Sequence, residues 1–112
     1  MLLITGGAGF LGSNLAATLE RDSRDKIVIC DYINIKKEKN LKKRNSRKIV
    51  HPKNLLHFLN KHKKEIDTIL HLGAISSTTE ENINLVAENN INLPIKIWDW
   101  CGENNKRLIY AS

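Results

Sequence analysis

The stretch TGGAGFLG, residues 5–12, stands between a short apolar run, LLIT, and a segment whose apolar residues recur with helical spacing. We read its glycines as the pattern G-x-x-G-x-x-G, formed by Gly6, Gly9 and Gly12, with Gly7 at a position that the stricter dinucleotide pattern does not require. Glycines between a strand and a helix let backbone N–H groups approach a pyrophosphate at the helix N-terminus. The stretch therefore predicts a phosphate-binding loop, with a glycine-rich turn that binds nothing as the alternative.

An acidic residue follows the glycine loop at the distance expected of a dinucleotide-binding unit. The run KIVIC, residues 26–30, is apolar and rich in β-branched residues, so it predicts a second buried strand. Asp31 follows that strand directly, nineteen residues after Gly12. A carboxylate at this place meets the hydroxyl groups of an adenosine ribose. The residues therefore favour a dinucleotide ligand.

Strands and helices alternate along the rest of the chain. Further short strands are predicted at 48–50, 67–71 and 107–111. Helices are predicted behind the glycine loop, after Pro52 and over 81–102, with Pro94 kinking or restarting the last one. This alternation is typical of right-handed crossovers onto a parallel sheet. We predict an α/β fold, an incomplete doubly wound, Rossmann-like sheet of about five strands in the order 3-2-1-4-5.

The net charge of +6 comes from one segment. Residues 36–48, KKEKNLKKRNSRK, contain eight of the eighteen basic residues and one of the twelve acidic residues, so the remainder of the chain is close to neutral. Three interpretations stay open: a solvated loop, contact of one or two lysines with a ribose 2′-phosphate, and nonspecific binding of nucleic acid. Nucleic acid is the least favoured, because the run lacks the aromatic residues of a single-strand binding surface.

Composition argues against several other classes of protein. No apolar run approaches the roughly 20 residues that span a bilayer, and the sequence after Met1 does not resemble a secretory signal. We therefore expect no membrane association and a cytoplasmic location. Cys30 and Cys101 are expected to be buried thiols, and His57 and His62 lack the spacing of metal ligands, so no metal site is predicted.

Two further expectations concern packing. His71 should cap the end of a buried strand, because it closes the apolar run that precedes the segment GAISSTTEE. Trp98 and Trp100 are two residues apart on a predicted helix, so their side chains should point in different directions. One tryptophan is expected to pack inward and the other to be exposed.

Longer stretches of the sequence carry a family resemblance. TGGAGFLGSN followed by VICDY resembles the extended short-chain dehydrogenase/reductase family. HLGAISSTTE at 71–80, ENN at 88–90 and IYAS at 109–112 are similar to its ADP-heptose 6-epimerase subfamily. The resemblance covers the whole chain and roughly the first third of such an enzyme. It implies the NADP-binding N-terminal part of a nucleotide-sugar epimerase that acts at C6 by transient hydride transfer, in lipopolysaccharide core biosynthesis.

Two alternatives to this reading remain open. One is the N-terminal part of another NAD-dependent sugar epimerase or dehydratase, since the glycine loop is specific only to the superfamily. The other is a non-catalytic remnant that binds a nucleotide or, through residues 36–48, a polyanion.

The resemblance also implies roles for individual residues. The positions that would contact the cofactor lie in the glycine loop, at the end of the second strand, at two lysines, after the fourth strand and at one asparagine. They are Gly6, Gly9, Phe10, Leu11, Gly12, Asp31, Tyr32, Lys37, Lys53, Leu72, Gly73, Ala74, Ile75, Ser76 and Asn89. The family carries Glu and Cys where this chain has Leu72 and Ile75, so backbone contacts carry over there and side-chain contacts do not.

The residues near the adenosine ribose point to two different cofactors. Asp31 favours NAD, because a carboxylate pairs with a ribose 2′-hydroxyl and repels a 2′-phosphate. Lys36, Lys37 and Lys39 favour NADP, since their charges would compensate the phosphate. With the family resemblance, NADP is the predicted cofactor and NAD is the alternative.

Catalysis in the resembled family uses a Tyr-x-x-x-Lys pair whose tyrosine acts as general acid and base. The chain contains these letters at Tyr32 and Lys36, but they follow the second strand, at the adenosine end of the cofactor, and are rejected as the catalytic pair. The pair is expected beyond Ser112, so no catalytic residue is predicted. Residues 1–112 are interpreted as a truncated dinucleotide-binding domain without its substrate domain. A nucleotide-sugar substrate and homo-oligomers are expected only of the full-length enzyme.

Overall fold

The computed structural model describes residues 1–7, 10–22, 26–32, 39, 48–72 and 91–110. These residues form five strands: β1 Leu2–Thr5, β2 Ile27–Cys30, β3 Lys48–Val50, β4 Thr68–His71 and β5 Arg107–Tyr110. They also form three α-helices, α1 Phe10–Asp22, α2 Leu55–Lys61 and α3 Leu93–Asn104, and a short 3₁₀ helix, Pro52–Asn54, ahead of α2. The five strands predicted from the sequence are therefore confirmed, each within one residue of its predicted bounds.

The strands form one parallel sheet in the order β3-β2-β1-β4-β5, which confirms the predicted α/β fold and strand order. In the centre of the sheet, Leu3 of β1 lies opposite Val28 of β2 on one side and Ile69 of β4 on the other. The side on which successive strands are added reverses at β1, because β2 and β3 lie on one side of it and β4 and β5 on the other. Open parallel sheets bind their ligands over the carboxyl ends of the strands at this point.

Apolar side chains fill both faces of the sheet. Leu3 and Val28 belong to a larger cluster with α2 and α3, whereas Ile4 and Ile29 belong to a smaller cluster with α1. Successive residues of a strand point to opposite faces, so an unbroken apolar run buries both faces at once. All four of these side chains are 0% exposed. The two clusters fix the sheet between its helices.

Helix α3 begins and ends where its sequence allows. It starts at Leu93, so Pro94 lies in the first turn, where the missing N–H removes no helical hydrogen bond. It ends at Asn105, whose φ of 54° is left-handed and whose N–H donates to the carbonyl of Cys101. The prediction was that Pro94 kinks or restarts a helix over 81–102. The structure places Pro94 in the first turn of α3, and residues 81–90 lie outside the described residues.

The packing expectations are also confirmed. His71 ends β4 and is 7% exposed. Trp100 packs into the larger cluster at 5% exposure, whereas Trp98, two residues earlier on α3, is 62% exposed. Among the helices that the structure describes, none is long and apolar enough to cross a membrane.

Candidate dinucleotide-binding site

The glycine loop turns sharply at its first residue. Gly6 has a φ of 70°, in the left-handed region that glycine adopts without steric cost. Its N–H donates to the carbonyl of Cys30 at 2.8 Å, which ties the end of β1 to the end of β2. The loop therefore leaves from the carboxyl end of β1 and is bonded to the carboxyl end of β2, the edge at which open parallel sheets bind ligands.

The first turn of α1 packs directly on this loop at Gly12. A Cβ atom at Gly12 would overlap the carbonyl oxygen of Gly6 and lie 2.7 Å from the Cα of Gly7. Because these are backbone atoms, no side-chain rotation could relieve the contact. The helix start, which includes Phe10 and Leu11, thus comes as close to the loop backbone as a pyrophosphate cradle requires.

Gly7 corrects our interpretation of the glycine spacing. A Cβ at Gly7 would lie 2.8 Å and 2.9 Å from the two γ-carbons of Ile29 and 3.2 Å from the carbonyl oxygen of Ile4. Gly7 is therefore required for the loop to pack on β2. The interpretation of Gly7 as a position that the stricter pattern does not require is wrong. With Gly9 and Gly12 it completes the stricter pattern G-x-G-x-x-G, a signal that the sequence already contained.

Asp31 stands immediately after β2 and is 7% exposed. Its backbone N–H donates to the carbonyl of Val50 at 3.1 Å, and its Oδ1 accepts the N–H of Tyr32 at 2.7 Å. These bonds fix the carboxylate at the carboxyl edge of the sheet, one strand away from the glycine loop. That is the place at which a carboxylate accepts hydrogen bonds from ribose hydroxyls in dinucleotide-binding folds.

The Cys30 thiol lies beside this carboxylate and is unreactive as a nucleophile. Burial, with a further contribution from the negative charge of Asp31, raises the pKa of Cys30 to about 12. Burial also raises the pKa of the Cys101 thiol above its ordinary value. Both cysteines are free and buried, as expected, and neither forms the thiolate that nucleophilic or redox chemistry needs.

Tyr32 and His51 meet at the ends of β2 and β3. Their ring centroids are 4.9 Å apart with the ring planes at 86°, an edge-to-face contact. His51 Nδ1 accepts the N–H of Lys53 at 3.1 Å and so caps the 3₁₀ helix that follows β3. The structure thus places Lys53, predicted as a cofactor contact, one strand beyond Asp31 at the same edge.

A buried polar contact joins the ends of β1 and β4. The Thr5 hydroxyl oxygen and His71 Nδ1 lie 2.6 Å apart and form a hydrogen bond. The N–H of Leu72 donates to the same hydroxyl oxygen and to the Thr5 carbonyl, at 3.1 Å in each case. Burial holds the pKa of His71 below its ordinary value of 6.5, so its ring favours the neutral form. Leu72, where the predicted cofactor-binding segment begins, is therefore anchored to the strand that carries the glycine loop.

Buried polar side chains gather at this one edge. Among the described residues, the buried polar or charged side chains are Thr5, Ser13, Asp31 and His71, at 2%, 3%, 7% and 7% exposure. Three follow or end a strand at the carboxyl edge, and Ser13 lies in the first turn of α1. A backbone cradle with no room for a Cβ, beside a buried carboxylate, fits the pyrophosphate and ribose of a dinucleotide.

No group of His, Cys, Asp and Glu that could hold a metal ion occurs within the described residues.

The structure brings together the predicted site residues that it describes. Gly6, Gly12, Asp31, Tyr32, Lys53 and Leu72 all lie at the carboxyl edge, and Phe10 and Leu11 begin α1 there. The remaining predicted contacts lie outside the described residues: Gly9, Lys37, Gly73, Ala74, Ile75, Ser76 and Asn89. Sequence reasoning missed Thr5 and His51 as parts of this edge, because their partners are recognised only when the strands are paired.

Known proteins that are similar to this chain include sugar-nucleotide epimerases. An ADP-L-glycero-D-manno-heptose-6-epimerase of Fusobacterium nucleatum is 33% identical over 116 residues, which cover 100% of this chain and 35% of that protein. The structure of the Helicobacter pylori enzyme of the same name superposes with a TM-score of 0.79 at 31% identity, covering 99% of this chain and 38% of the other. A UDP-N-acetylglucosamine 4-epimerase from Methanobrevibacter ruminantium has a TM-score of 0.71 at 30% identity, covering 94% and 34%.

These proportions mean that the chain spans about a third of the length of the relatives it matches. The match extends over nearly all of the sequence, because residues 2–112 fit the family of NAD dependent epimerases and dehydratases. The glycine loop, the buried Asp31 and the parallel sheet are features of dinucleotide-binding folds. The chain belongs to the NAD dependent epimerase/dehydratase family.

Proposed function

We propose that this chain is the NADP-binding N-terminal part of an ADP-L-glycero-D-manno-heptose 6-epimerase, a cytoplasmic enzyme of lipopolysaccharide core biosynthesis. The observation that carries the proposal is the packing of Gly12 on the Gly6 backbone, with Asp31 buried at the end of the neighbouring strand. Similarity to the Fusobacterium and Helicobacter heptose epimerases supports the choice of substrate.

Each part of the cofactor has a matching group at the carboxyl edge. The glycine loop and the first turn of α1 offer backbone N–H groups to the pyrophosphate. Asp31 accepts hydrogen bonds from the adenosine ribose, and Lys37 and Lys53 carry charges that suit a 2′-phosphate. Leu72 is held by Thr5, and by family resemblance the residues 73–76 that follow it in sequence would contact the cofactor. A bound nicotinamide dinucleotide supplies reversible hydride transfer with a sugar carbon.

The 112 residues do not supply the family's acid–base pair. Tyr32 and Lys36 are the one Tyr-x-x-x-Lys match in the sequence. The Tyr32 ring packs on His51 at the outer strand β3, on the adenosine side of the glycine loop. We therefore expect the purified chain, incubated with ADP-heptose and NADP⁺, to leave the two C6 epimers unconverted when they are resolved by chromatography. Measurable interconversion would contradict this part of the proposal.

Cofactor binding is tested by fluorescence titration of the chain with NADPH. We expect saturable binding that is lost in Gly9→Val, because a branched side chain would occupy the pyrophosphate space. Gly102→Ala, at an exposed helical glycine far in sequence from the loop, is the matched control and should bind as the wild type does. Circular dichroism of each variant separates a lost site from a lost fold.

The polyanion alternative makes the opposite prediction. Binding of a short DNA duplex that disappears with added salt and is unaffected by Gly9→Val, with no NADPH binding, would replace the proposed function. The sugar substrate has its own alternative, since the Methanobrevibacter 4-epimerase is similarly related at 30% identity. Reading the gene downstream of codon 112 for a heptose-type or another substrate domain discriminates between the two.

Homo-oligomers are proposed for the full-length enzyme by family resemblance. An exposed apolar surface on α3 and β5 supports such contacts: Ile95, Trp98 and Tyr110 are 55%, 62% and 56% exposed. Trp98 and Tyr110 make an edge-to-face contact with ring centroids 6.5 Å apart. Analytical ultracentrifugation of a full-length enzyme with Trp98→Ser tests whether this surface contributes to assembly.

A further inference from the structure

We propose that His51 determines the preference for NADP by donating a hydrogen bond from Nε2 to the 2′-phosphate of the adenosine ribose. The inference deepens the proposed function and depends on dinucleotide binding at the carboxyl edge of the sheet. It adds a residue that the family resemblance did not indicate, since the predicted contacts there were Lys37, with the 2′-phosphate, and Lys53, as a second cofactor contact.

His51 occupies the right place for such a contact. It directly follows Val50, the last residue of β3, and Val50 pairs in register with Cys30 of β2. Asp31 and His51 are therefore the first residues beyond two neighbouring strands, and the Asp31 N–H donates to the Val50 carbonyl at 3.1 Å. A ribose bound at Asp31 has His51 as its neighbour on the side away from the glycine loop.

Two contacts fix the orientation of the imidazole ring. Nδ1 accepts the backbone N–H of Lys53 at 3.1 Å, and the ring meets the Tyr32 ring edge to face at 4.9 Å. Because Nδ1 is an acceptor, the neutral ring carries its proton on Nε2. Nε2 makes no hydrogen bond to any residue that the structure describes, and His51 is exposed. The ring thus presents an oriented donor to whatever binds at this edge.

The chemistry of the neighbourhood favours a phosphate as the acceptor. Asp31 alone would select the 2′-hydroxyl of NAD and repel a 2′-phosphate. The Tyr32 N–H donates to Oδ1 at 2.7 Å and so holds the carboxylate in place. A 2′-phosphate therefore needs donors from the other side, and His51 Nε2–H together with the exposed Lys53 provides a donor and a positive charge. Hydrogen bonds to a phosphate are charge-assisted and stronger than neutral ones.

A purely structural role for His51 makes a different prediction. The ring caps the 3₁₀ helix that begins at Pro52, and a cap can act without touching a ligand. Asparagine is a good capping residue, whereas it cannot reach the position of Nε2. Glutamine places its side-chain amide near the position of Nε2 but is a poor cap. The two substitutions therefore separate donation to a ligand from capping of a helix.

The experiment measures binding of NADP⁺ and of NAD⁺ by isothermal titration calorimetry under identical buffer conditions. His51→Asn should weaken NADP⁺ binding roughly tenfold and change NAD⁺ binding by less than about twofold, because a single charge-assisted hydrogen bond is lost. His51→Gln should bind NADP⁺ within about threefold of the wild type despite a lower melting temperature. His57→Asn, the same change at an exposed position of α2, should alter neither affinity.

Each result decides the inference. Equal weakening of NADP⁺ and NAD⁺ by His51→Asn, or no weakening of either, would overturn it. The inference would also be overturned if His51→Asn bound NADP⁺ as the wild type does and His51→Gln bound it more weakly, because the affinity would then follow helix capping. If the wild-type chain binds neither dinucleotide, the proposed function itself fails and the inference fails with it. In the wild type, the ¹⁵N resonance of His51 Nε2 should shift on addition of NADP⁺ and stay unchanged with NAD⁺.

Discussion

Among the described residues, polar side chains lie at both edges of the sheet, and the carboxyl edge holds three that are buried. Thr5, Asp31 and His71 at the carboxyl edge are each at most 7% exposed. At the amino edge, the Asp67 side chain is 67% exposed, and its Oδ2 lies 3.0 Å from the ammonium group of Met1. Asp67 precedes β4 and His71 is its last residue. The difference in their exposure therefore comes from what surrounds each side chain and not from the local backbone.

This difference in the exposure of polar side chains indicates which edge of the sheet binds a ligand. An exposed ion pair contributes little to stability, because water screens it, and so it needs no special surroundings. A buried polar group must be hydrogen-bonded, and a site that holds several of them sacrifices apolar packing to do so. At the carboxyl edge, buried polar groups replace apolar packing beside a loop in which glycines replace side chains. This combination is expected of a binding site.

The largest expected effect is a difference in the free energy of unfolding between substitutions at two helical glycines, Gly12 and Gly102. Gly12→Ala should lower the free energy of unfolding by about 3 kcal/mol or more, because the new Cβ overlaps the Gly6 backbone and neither can rotate away. At Gly102 of α3, an added Cβ meets nothing within 4 Å, so Gly102→Ala should raise the free energy of unfolding by about 0.5–1 kcal/mol. Urea unfolding measures both values. Similar losses in the two variants would show that the close approach at the carboxyl edge is not what makes Gly12 necessary.

The second effect concerns the contact between the glycine loop and β2. Gly7→Ala should cost about 1–3 kcal/mol, because its Cβ would press on the γ-carbons of Ile29. Shortening the neighbour should relieve part of this cost, so Gly7→Ala and Ile29→Ala should be less than additive by about 0.5–3 kcal/mol in a double-mutant cycle. Strict additivity of the two substitutions would contradict the contact.

A smaller effect should appear as the buried end of β4 is acidified. Burial lowers the pKa of His71 below 6.5, so the unfolded chain takes up a proton at higher pH than the folded chain does. Stability from this group is complete above the unfolded pKa and is lost as the pH falls through and below it. Between about pH 7.5 and about pH 5.5, the free energy of unfolding should fall more for the wild type than for His71→Gln. Parallel profiles would mean that His71 is solvated in the folded chain.

The smallest effect is expected at the exposed end of the same strand. The hydrogen bond and charge of the Met1 ammonium, with a weaker contribution from Lys106, hold the pKa of Asp67 below its ordinary 3.8. A depressed carboxyl pKa gives stability that is present above the unfolded pKa and is lost as the pH falls through the folded one. Asp67→Asn should therefore be slightly less stable than the wild type at neutral pH and equal to it near about pH 2. The difference should shrink in high salt, and a salt-independent difference would argue against an exposed ion pair.

Much of the fold was predictable from short stretches of sequence. The apolar runs of β1 and β2, the helical spacing behind the glycine loop and Pro94 at the start of α3 each specify an element within a few neighbouring residues. The strand order followed because crossovers between parallel strands are right-handed and glycine loops of this kind follow the first strand. The glycine loop and Asp31 then located the site at the carboxyl edge.

Other parts of the site depend on contacts between distant residues. His51 shows this best, because the sequence around it marks a helix start, whereas its contact with Tyr32 exists only once β2 and β3 are paired. Lys53 was predicted at this edge from the family resemblance, but the residue that caps the helix beside it was not.

The sequence by itself determined the strands, the helices, the glycine loop and the family, because each depends on residues close together in the chain. Only the tertiary structure decided that Gly7 must lack a side chain against Ile29, and that Thr5 meets His71 across 66 residues of sequence. Such pairs depend on the register between separate strands, and that register is set by packing of both faces of the sheet at once. The glycine pattern marks Gly7 as a position without a side chain, but no local pattern names Ile29 or His71 as the partners.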